Sequence, residues 1–334
     1  MALIMLDGFD THGAAATLAN GDPHWGAQTG VAVTAAGGKF GGNSLRLAAA
    51  ATGSAALNPG TVTGNVSLAG WFKVATSTNP VPLWADSTGA LVTRNADGSV
   101  VIKDGAGVTR FTSAANVVLD GVWTWLEVHY HGSATAGIRV YSQGAPLLSP
   151  YVGAFTAPSW ATLKLLNSTG TGIGQIDVDD VVIWDSSGSF FNADGIQPRR
   201  IQTLRPNAAG TLSQWAPNGP TNWESVDDTD WSGGAGVVGT VNGQTDRYGF
   251  TDLTATPGSV DAVVAKARVQ NVGADAATLA FVTGQGATQR ALTPVAIATL
   301  APTVLQGVFY QDASNVNWTP TTVNAAEFGE TLGV

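Results

Sequence analysis

The chain has 334 residues, 44% of them hydrophobic and only 12% charged, with 42 glycines, no cysteine and a net charge of −9. That length points to two domains, with enough apolar content for a core in each. The missing cysteines exclude disulfides and thiolate metal sites, and a negative chain without a basic run excludes a phosphate-tracking surface, so nucleic acid is not an expected partner.

The first predicted element is a strand over Leu3 to Asp10. Its apolar run stops at Asp7 and no positive region precedes it, so it does not read as a signal peptide. No apolar stretch reaches the roughly 18 residues of a membrane span, so no membrane insertion is expected. Synthesis and folding in a cytoplasm follow as the expectation. Turn signals then recur at Ala36-Gly37-Gly38, Asn58-Pro59-Gly60, Ala96-Asp97-Gly98, Lys103-Asp104-Gly105 and Asn167 to Gly170. Short runs rich in Val, Leu, Thr and aromatics lie between them, which is the pattern of an all-β domain. Strands are predicted over Gly42 to Leu47, Val66 to Val74, Leu83 to Ala85, Leu91 to Arg94, Ser99 to Lys103, Trp123 to His131, Gly137 to Tyr141, Leu163 to Leu166 and Gln175 to Trp184. No segment sustains a 3.6-residue apolar period, so helices should be few and short.

Residues 1–187 therefore read as one domain and 188–206 as linker plus a connecting strand, Ile201 to Pro206. Residues 207–334 read as a C-terminal β-domain. Asn207 to Gly236, rich in Gly, Pro, Asn, Asp and Trp, reads as an ordered crossing loop, because large aromatic anchors are unusual in disorder. Strands resume over Val263 to Gln270, Ala277 to Thr283, Gln289 to Leu292 and Val304 to Tyr310, and a one-turn helix is expected at Thr322 to Glu327.

Separated motifs share an order with one family. They are Leu6-Asp7-Gly8-Phe9-Asp10, Gly37-Gly38-Lys39-Phe40-Gly41-Gly42-Asn43-Ser44-Leu45-Arg46, Ala69-Gly70-Trp71-Phe72-Lys73 and Trp123-Thr124-Trp125-Leu126-Glu127. Then come Ile176-Asp177-Val178-Asp179-Asp180-Val181, Leu204-Arg205-Pro206-Asn207-Ala208-Ala209-Gly210, Asn317-Trp318-Thr319 and Val323-Asn324-Ala325-Ala326-Glu327-Phe328-Gly329. The order resembles tailed-bacteriophage virion proteins with an N-terminal concanavalin A-like (laminin-G-type) jelly roll and a C-terminal β-sandwich-like domain. The resemblance implies that the first and last strands of the jelly roll pair side by side. It also implies a structural protein of the particle, in the tail, baseplate or fibre. Fold alone does not assign activity.

Several residue sets carry candidate chemistry. On Trp123 to His131, period 2 puts Leu126, Val128 and Tyr130 on one face and Trp125, Glu127, His129 and His131 on the other. His129-x-His131 beside Glu127 has metal-ligand spacing, against the alternative of a polar sheet face; only His12 and His24 remain as further histidines. Asp177, Asp179, Asp180 and Asp185 suggest a calcium site, although strand alternation separates Asp179 from Asp180. A glycosidase needs two carboxylates across a cleft, and Glu127 has no second acid on its own face. Glu224, Glu327 and Glu330 fall in the second domain, so polysaccharide cleavage is disfavoured and no catalytic residue is assigned. No Gly-x-Ser-x-Gly elbow occurs either. Trp25, Trp84 and Trp160 lie in turn-like surroundings suited to stacking on sugars, and Trp215, Trp223 and Trp231 suit assembly contacts.

The sparse charge suits a surface buried against other copies. The expectation is thus a noncatalytic virion protein with no required cofactor, forming a homotrimer with other virion proteins as partners and contacting host surface glycan. The alternatives are a capsid decoration protein, a carbohydrate-binding module and, last, a polysaccharide depolymerase.

Overall fold

Strand takes up 49% of the chain and helix 4% in the computed structural model, which describes residues 2–13, 18, 22, 24–60, 62, 64–131, 137–147, 149–188, 195–228, 234–254, 258–273, 275–297 and 301–333. The protein is all-β. Its contacts divide it into two units, residues 1–20 with 24–201 and residues 21–23 with 202–334.

The first unit is a jelly-roll sandwich of two antiparallel sheets. Its strands are β1 (Ala2–Asp7), β2 (Trp25–Thr29), β3 (Val31–Thr34), β4 (Ser44–Leu47), β5 (Thr52–Leu57), β6 (Val66–Val74), β7 (Val81–Asp86) and β8 (Gly89–Arg94). There follow β9 (Val100–Lys103), β10 (Thr109–Thr112), β11 (Thr124–His131), β12 (Gly137–Ser142), β13 (Ala145–Pro146), β14 (Lys164–Thr169) and β15 (Ile176–Asp185). One sheet runs β13-β12-β11-β6-β15-β4-β3 with β1 also on β15, and the other runs β10-β9-β8-β7-β14-β5-β2. The opening and closing strands pair as expected, with Asp7 opposite Val181. Alternate residues fill the space between the sheets: Leu68, Phe72, Leu126, Val128 and Ile183 from one side, Leu83, Val92, Ile102 and Leu165 from the other. Each fully buried aliphatic or aromatic side chain contributes about 1.5–3 kcal/mol to holding the sheets together.

β15 organises its sheet. One edge follows β6 along most of its length. The other edge pairs first with β4, Ile176 to Val178 opposite Leu47 to Leu45, then with β1 from Val181 onward. Asp179 and Asp180 sit at this change of partner. The register on the β6 side also shifts between Asp179 and Val182, and Asp180 has a left-handed backbone, φ 48°. This is a β-bulge, which breaks the alternation of side chains.

The second unit contains β16 (Pro206–Ser213), β17 (Ala216–Pro217), β18 (Val237–Val238), β19 (Thr245–Phe250), β20 (Val263–Val269), β21 (Ala277–Gln285), β22 (Thr288–Ala291), β23 (Val295–Ile297), β24 (Thr303–Phe309), the helix α1 (Pro320–Asn324) and β25 (Glu327–Gly333). A sheet runs β16-β19-β25-β21-β22, with β23 also on β21, and β20 pairs with β24 as a ribbon. Leu279, Phe281 and Phe328 of the sheet join Phe309, Trp318, Val323 and Ala326 in one apolar cluster, against which Val263, Ala265 and Leu305 of the ribbon pack.

Here the structure departs from the sequence-based elements. Residues 201–205 form no strand; β16 starts at Pro206 and runs into the expected loop. Proline suits a first strand position because it has no N–H to donate. The helix starts earlier than expected, with Pro320 in its first turn and a Thr319–Thr322 capping box, and Glu327 already belongs to the next strand.

Candidate functional site

The outward face of β11 is as buried as its inward face. Glu127, His129 and Ser67 are 0% exposed, and Trp125 is also sealed. Among the described residues the cover includes 195–201, which were read from sequence as linker but belong to the first unit and are bonded to this face. The Ile196 N–H donates to Glu127 Oε1 at 2.8 Å, and Trp71 Nε1 donates to the Arg199 carbonyl at 2.8 Å. Trp184 and Tyr141 close edge-on over the His129 ring.

Under this cover Ser67 Oγ lies 2.7 Å from His129 Nδ1, and His129 Nε2 lies 2.7 Å from Glu127 Oε1. Ser67 and His129 are direct cross-strand partners of β6 and β11, which is why the chain forms. It has the residue types of a hydrolytic triad. Both ring nitrogens are engaged, so the metal-ligand spacing seen in the sequence is not used by His129. Burial, with the neighbouring His129 and Arg139, pushes the His131 imidazole down to about 4. It is thus neutral at pH 7, as a buried cation without a compensating charge would be costly.

The acidic strand splits into two environments. Asp177 is neutralised: Arg46 Nε lies 2.5 Å from its Oδ1 and Gln175 Nε2 donates to its Oδ2. Asp185 accepts from the Ser187 N–H and hydroxyl. Asp179 and Asp180 are buried at the change of partner on β15. Asp179 Oδ2 accepts from the Lys39 N–H at 2.7 Å and its Oδ1 from the Asp180 N–H at 2.8 Å. Asp180 Oδ1 accepts from the Ile201 N–H at 3.0 Å, and Asp180 Oδ2 is buried without a hydrogen-bond partner. Burial, with Asp10 and Asp7 nearby, pushes the Asp179 carboxyl up to about 7. Burial and the neighbouring Asp179 push that of Asp180 well above the usual range. The alternation that separates these two acids in an ideal strand is cancelled by the bulge.

The tryptophans divide as well. Trp25 and Trp84 are in the core, at 3% and 1% exposure, so neither has a ring face to offer a sugar. The Trp25 indole donates to Asp7 Oδ2 at 2.7 Å, and Trp84 meets Phe72 between the sheets. Trp160 is half-buried and edge-on to Tyr130. The accessible aromatic that sequence reasoning missed is Phe40, 42% exposed. It lies edge-on to Trp71 at 5.9 Å, with Lys39 Nζ 5.6 Å and Arg200 Cζ 5.1 Å from its ring centre. The run Lys39-Phe40 in a glycine-rich loop was the available signal.

In the second unit Trp215 is half-buried against the apolar cluster and donates to the Gln244 carbonyl. Trp223 is half-buried in a single 3-10 turn, and Trp231 lies outside the described residues. The polar centre of this unit is Asp246. It accepts from the Trp215 N–H at 2.8 Å and the Tyr248 hydroxyl at 3.2 Å, and is also bonded to Asn222. Tyr248 Oη lies 3.0 Å from Glu330 Oε1. Burial raises the Glu330 carboxyl to about 7, and Asp246 adds to the rise. Of the scarce glutamates, Glu327 is engaged by Thr211 and Arg247, and Glu224 by Thr221.

No family profile and no curated protein matches the chain. Among solved structures it is similar to the binding domain of Paraclostridial mosquitocidal protein 1, at 12% identity and a TM-score of 0.38 over 48% of this chain and 44% of that one. It is also similar to the receptor-binding domain of botulinum neurotoxin mosaic serotype C/D, at 10% identity and 0.36 over 49% and 43%. A third is the botulinum neurotoxin serotype D ligand-binding domain in complex with N-acetylneuraminic acid, at 11% identity and 0.33 over 44% and 39%. The match thus spans less than half the length of each of these chains.

Proposed function

We propose that the protein is a noncatalytic structural component of a tailed-phage particle, in the tail, baseplate or fibre, built from a jelly roll and a C-terminal β-domain that carries subunit contacts. The observation that carries this reading is the sealing of β11. Glu127, the acid that a depolymerase would need, is 0% exposed and is bonded to His129 and to the Ile196 main chain. A carboxylate held in this way stabilises the fold and does not reach a substrate. The order of motifs from Leu6-Asp7-Gly8-Phe9-Asp10 to Phe328-Gly329 supplies the particle. The low charge supplies the assembly, since a surface so poor in charge is suited to burial against other copies. Virion localisation, a homotrimer and other virion proteins as partners belong to the same proposal. Static light scattering tests the self-association. A trimer has three times 34.0 kDa, about 102 kDa, and a monodisperse monomer at high concentration that also fails to join particles sinks the reading.

The exposed Phe40 favours a second reading, a carbohydrate-binding module for host surface glycans. An aromatic face with Lys39 and Arg200 beside it suits an acidic saccharide, through stacking and ion pairing. Glycan-array binding that Phe40→Ala abolishes supports this module, and an array without any signal removes it.

A further inference from the structure

We propose that Asp246, Tyr248 and Glu330 form a proton-operated clasp in the second unit. A proton held between Glu330 and Tyr248 keeps residues 214–222 fastened to the sheet, and its loss in alkaline solution loosens them. The clasp lies within the second unit and does not depend on the particle assignment.

The strand register brings the two acids face to face. β19 and β25 are antiparallel neighbours, with Asp246 directly opposite Glu330. On its other side Glu330 faces Phe281 of β21. Like charges directly opposite each other destabilise a sheet. The nearest cation in sequence does not relieve the pair: Arg247 alternates to the opposite face, where Glu327 and Thr211 hold it. β16 and residues 214–222 contain no charged residue. Between the acids stands the Tyr248 hydroxyl, 3.2 Å from Asp246 Oδ2 and 3.0 Å from Glu330 Oε1.

The hydrogen-bond count locates a proton. An ionised carboxylate has about four acceptor sites and no donor. Those of Asp246 are filled. Its Oδ1 accepts from the Gln214 and Trp215 N–H groups, and its Oδ2 from the Asn222 amide and the Tyr248 hydroxyl. A phenol has a single proton, so two carboxylates cannot both accept from Tyr248. One acid must therefore carry a proton and donate it. Three N–H donors favour the ionised form of Asp246. Glu330 has Tyr248 as its one hydrogen-bond partner among the described residues, so Glu330 holds the proton on Oε1 and donates it to Tyr248 Oη. Burial and the facing Asp246 push the Glu330 carboxyl up to about 7, against the opposite pull of the Tyr248 hydrogen bond.

Asp246 is 0% exposed, and its donors Gln214, Trp215 and Asn222 are the points at which the crossing segment is fastened. Loss of the Glu330 proton leaves two carboxylates facing one hydroxyl. The repulsion falls on Asp246 and weakens its hold on the segment. Because the carboxyl is raised in the folded state, the clasp is closed at low pH and opens as pH rises through 7.

The test uses the full chain. It has no cysteine, so Ala216→Cys, at an exposed position of the segment, places a single spin label there. The label should be ordered at about pH 5.5 and mobile at about pH 8.5, with the transition centred near the raised carboxyl value. Equal mobility at both pH values overturns the clasp. This titration leaves the three clasp residues intact, so it stands even where a clasp variant fails to fold. Glu330→Gln puts a permanent NH₂ donor beside Tyr248 Oη and should keep the label ordered at both pH values. A transition that persists in Glu330→Gln overturns Glu330 as the proton holder. At about pH 6 the infrared spectrum of the wild type should contain a protonated-carboxyl carbonyl band that Glu330→Gln lacks, and identical spectra overturn the assignment of the proton.

Discussion

Replacing Glu127 by alanine separates a structural from a catalytic role for this residue. The side chain is fully buried. Its Oε1 takes two short bonds, from His129 Nε2 at 2.7 Å and from the Ile196 N–H at 2.8 Å, and its Oε2 a long one from Trp125 Nε1 at 3.4 Å. Alanine strands the Ile196 N–H and one nitrogen of His129, each at about 1–3 kcal/mol, and leaves a polar void under residues 195–201. Together these come to about 2–6 kcal/mol, which brackets the about 3–5 kcal/mol seen when one partner of a buried pair is removed. Glu127→Gln keeps an acceptor at Oε1 but turns an NH₂ toward the Trp125 N–H, so its loss should be smaller, about 1–2 kcal/mol. The assay is urea unfolding read by tryptophan fluorescence, combined with limited proteolysis across residues 195–201. Loss of stability in the order Ala, Gln, wild type, with faster cleavage of the covering segment in Glu127→Ala, is the expected result. Wild-type stability in Glu127→Ala, to within about 0.5 kcal/mol, would refute the reasoning.

Three further outcomes follow from the geometry. Asp7→Ala removes the acceptor for the Phe9 N–H, the His12 ring and the Trp25 indole and should lower the unfolding free energy by roughly 3 kcal/mol or more, measured by urea titration. Trp84→Ala should cost about 3–5 kcal/mol through the cavity it leaves without altering any glycan signal, whereas Phe40→Ala should leave the melting temperature within a degree or two. The Glu330 carboxyl is raised from 4.5 to about 7 by burial beside Asp246. Folding therefore favours its protonated form, and this contribution is full below pH 4.5 and lost as pH rises through 7. Melting temperature should fall over that window, and Glu330→Gln should flatten the fall.

The sequence carried the frame of the first unit because its evidence is local. Period 2 on Trp123 to His131 put Leu126, Val128 and Tyr130 together on one face, and the structure turns that face to the core. The pairing of β1 with β15 was instead what the resemblance implied, and it is found. What it could not carry depends on contacts distant in the chain. The outer face of β11 is sealed by residues 195–201, and nothing in the strand's own pattern announces a cover. Asp179 and Asp180 are both buried at a change of strand partner where Asp180 adopts a left-handed backbone; an alternation argument presumes a regular strand. Asn and Asp tolerate that conformation better than most residues, which is the one hint present. Trp25 and Trp84 misled because turn-like neighbours suggested exposure, while both rings are packed into the core. β19 and β25 were missed for a different reason. Thr245-Asp246-Arg247-Tyr248 and Glu327-Phe328-Gly329-Glu330 hold charges inside a sheet, and only the network of Asp246, Tyr248, Glu330, Arg247 and Glu327 makes that tolerable.

The proposal that the chain is built into a phage particle is tested most directly by probing density-purified particles, from a lysate in which the chain is made, with an antibody against it. The account predicts the protein in the particle fraction at a fixed copy number, with the label at the tail, baseplate or fibres. Protein abundant in the lysate and absent from intact particles would contradict it.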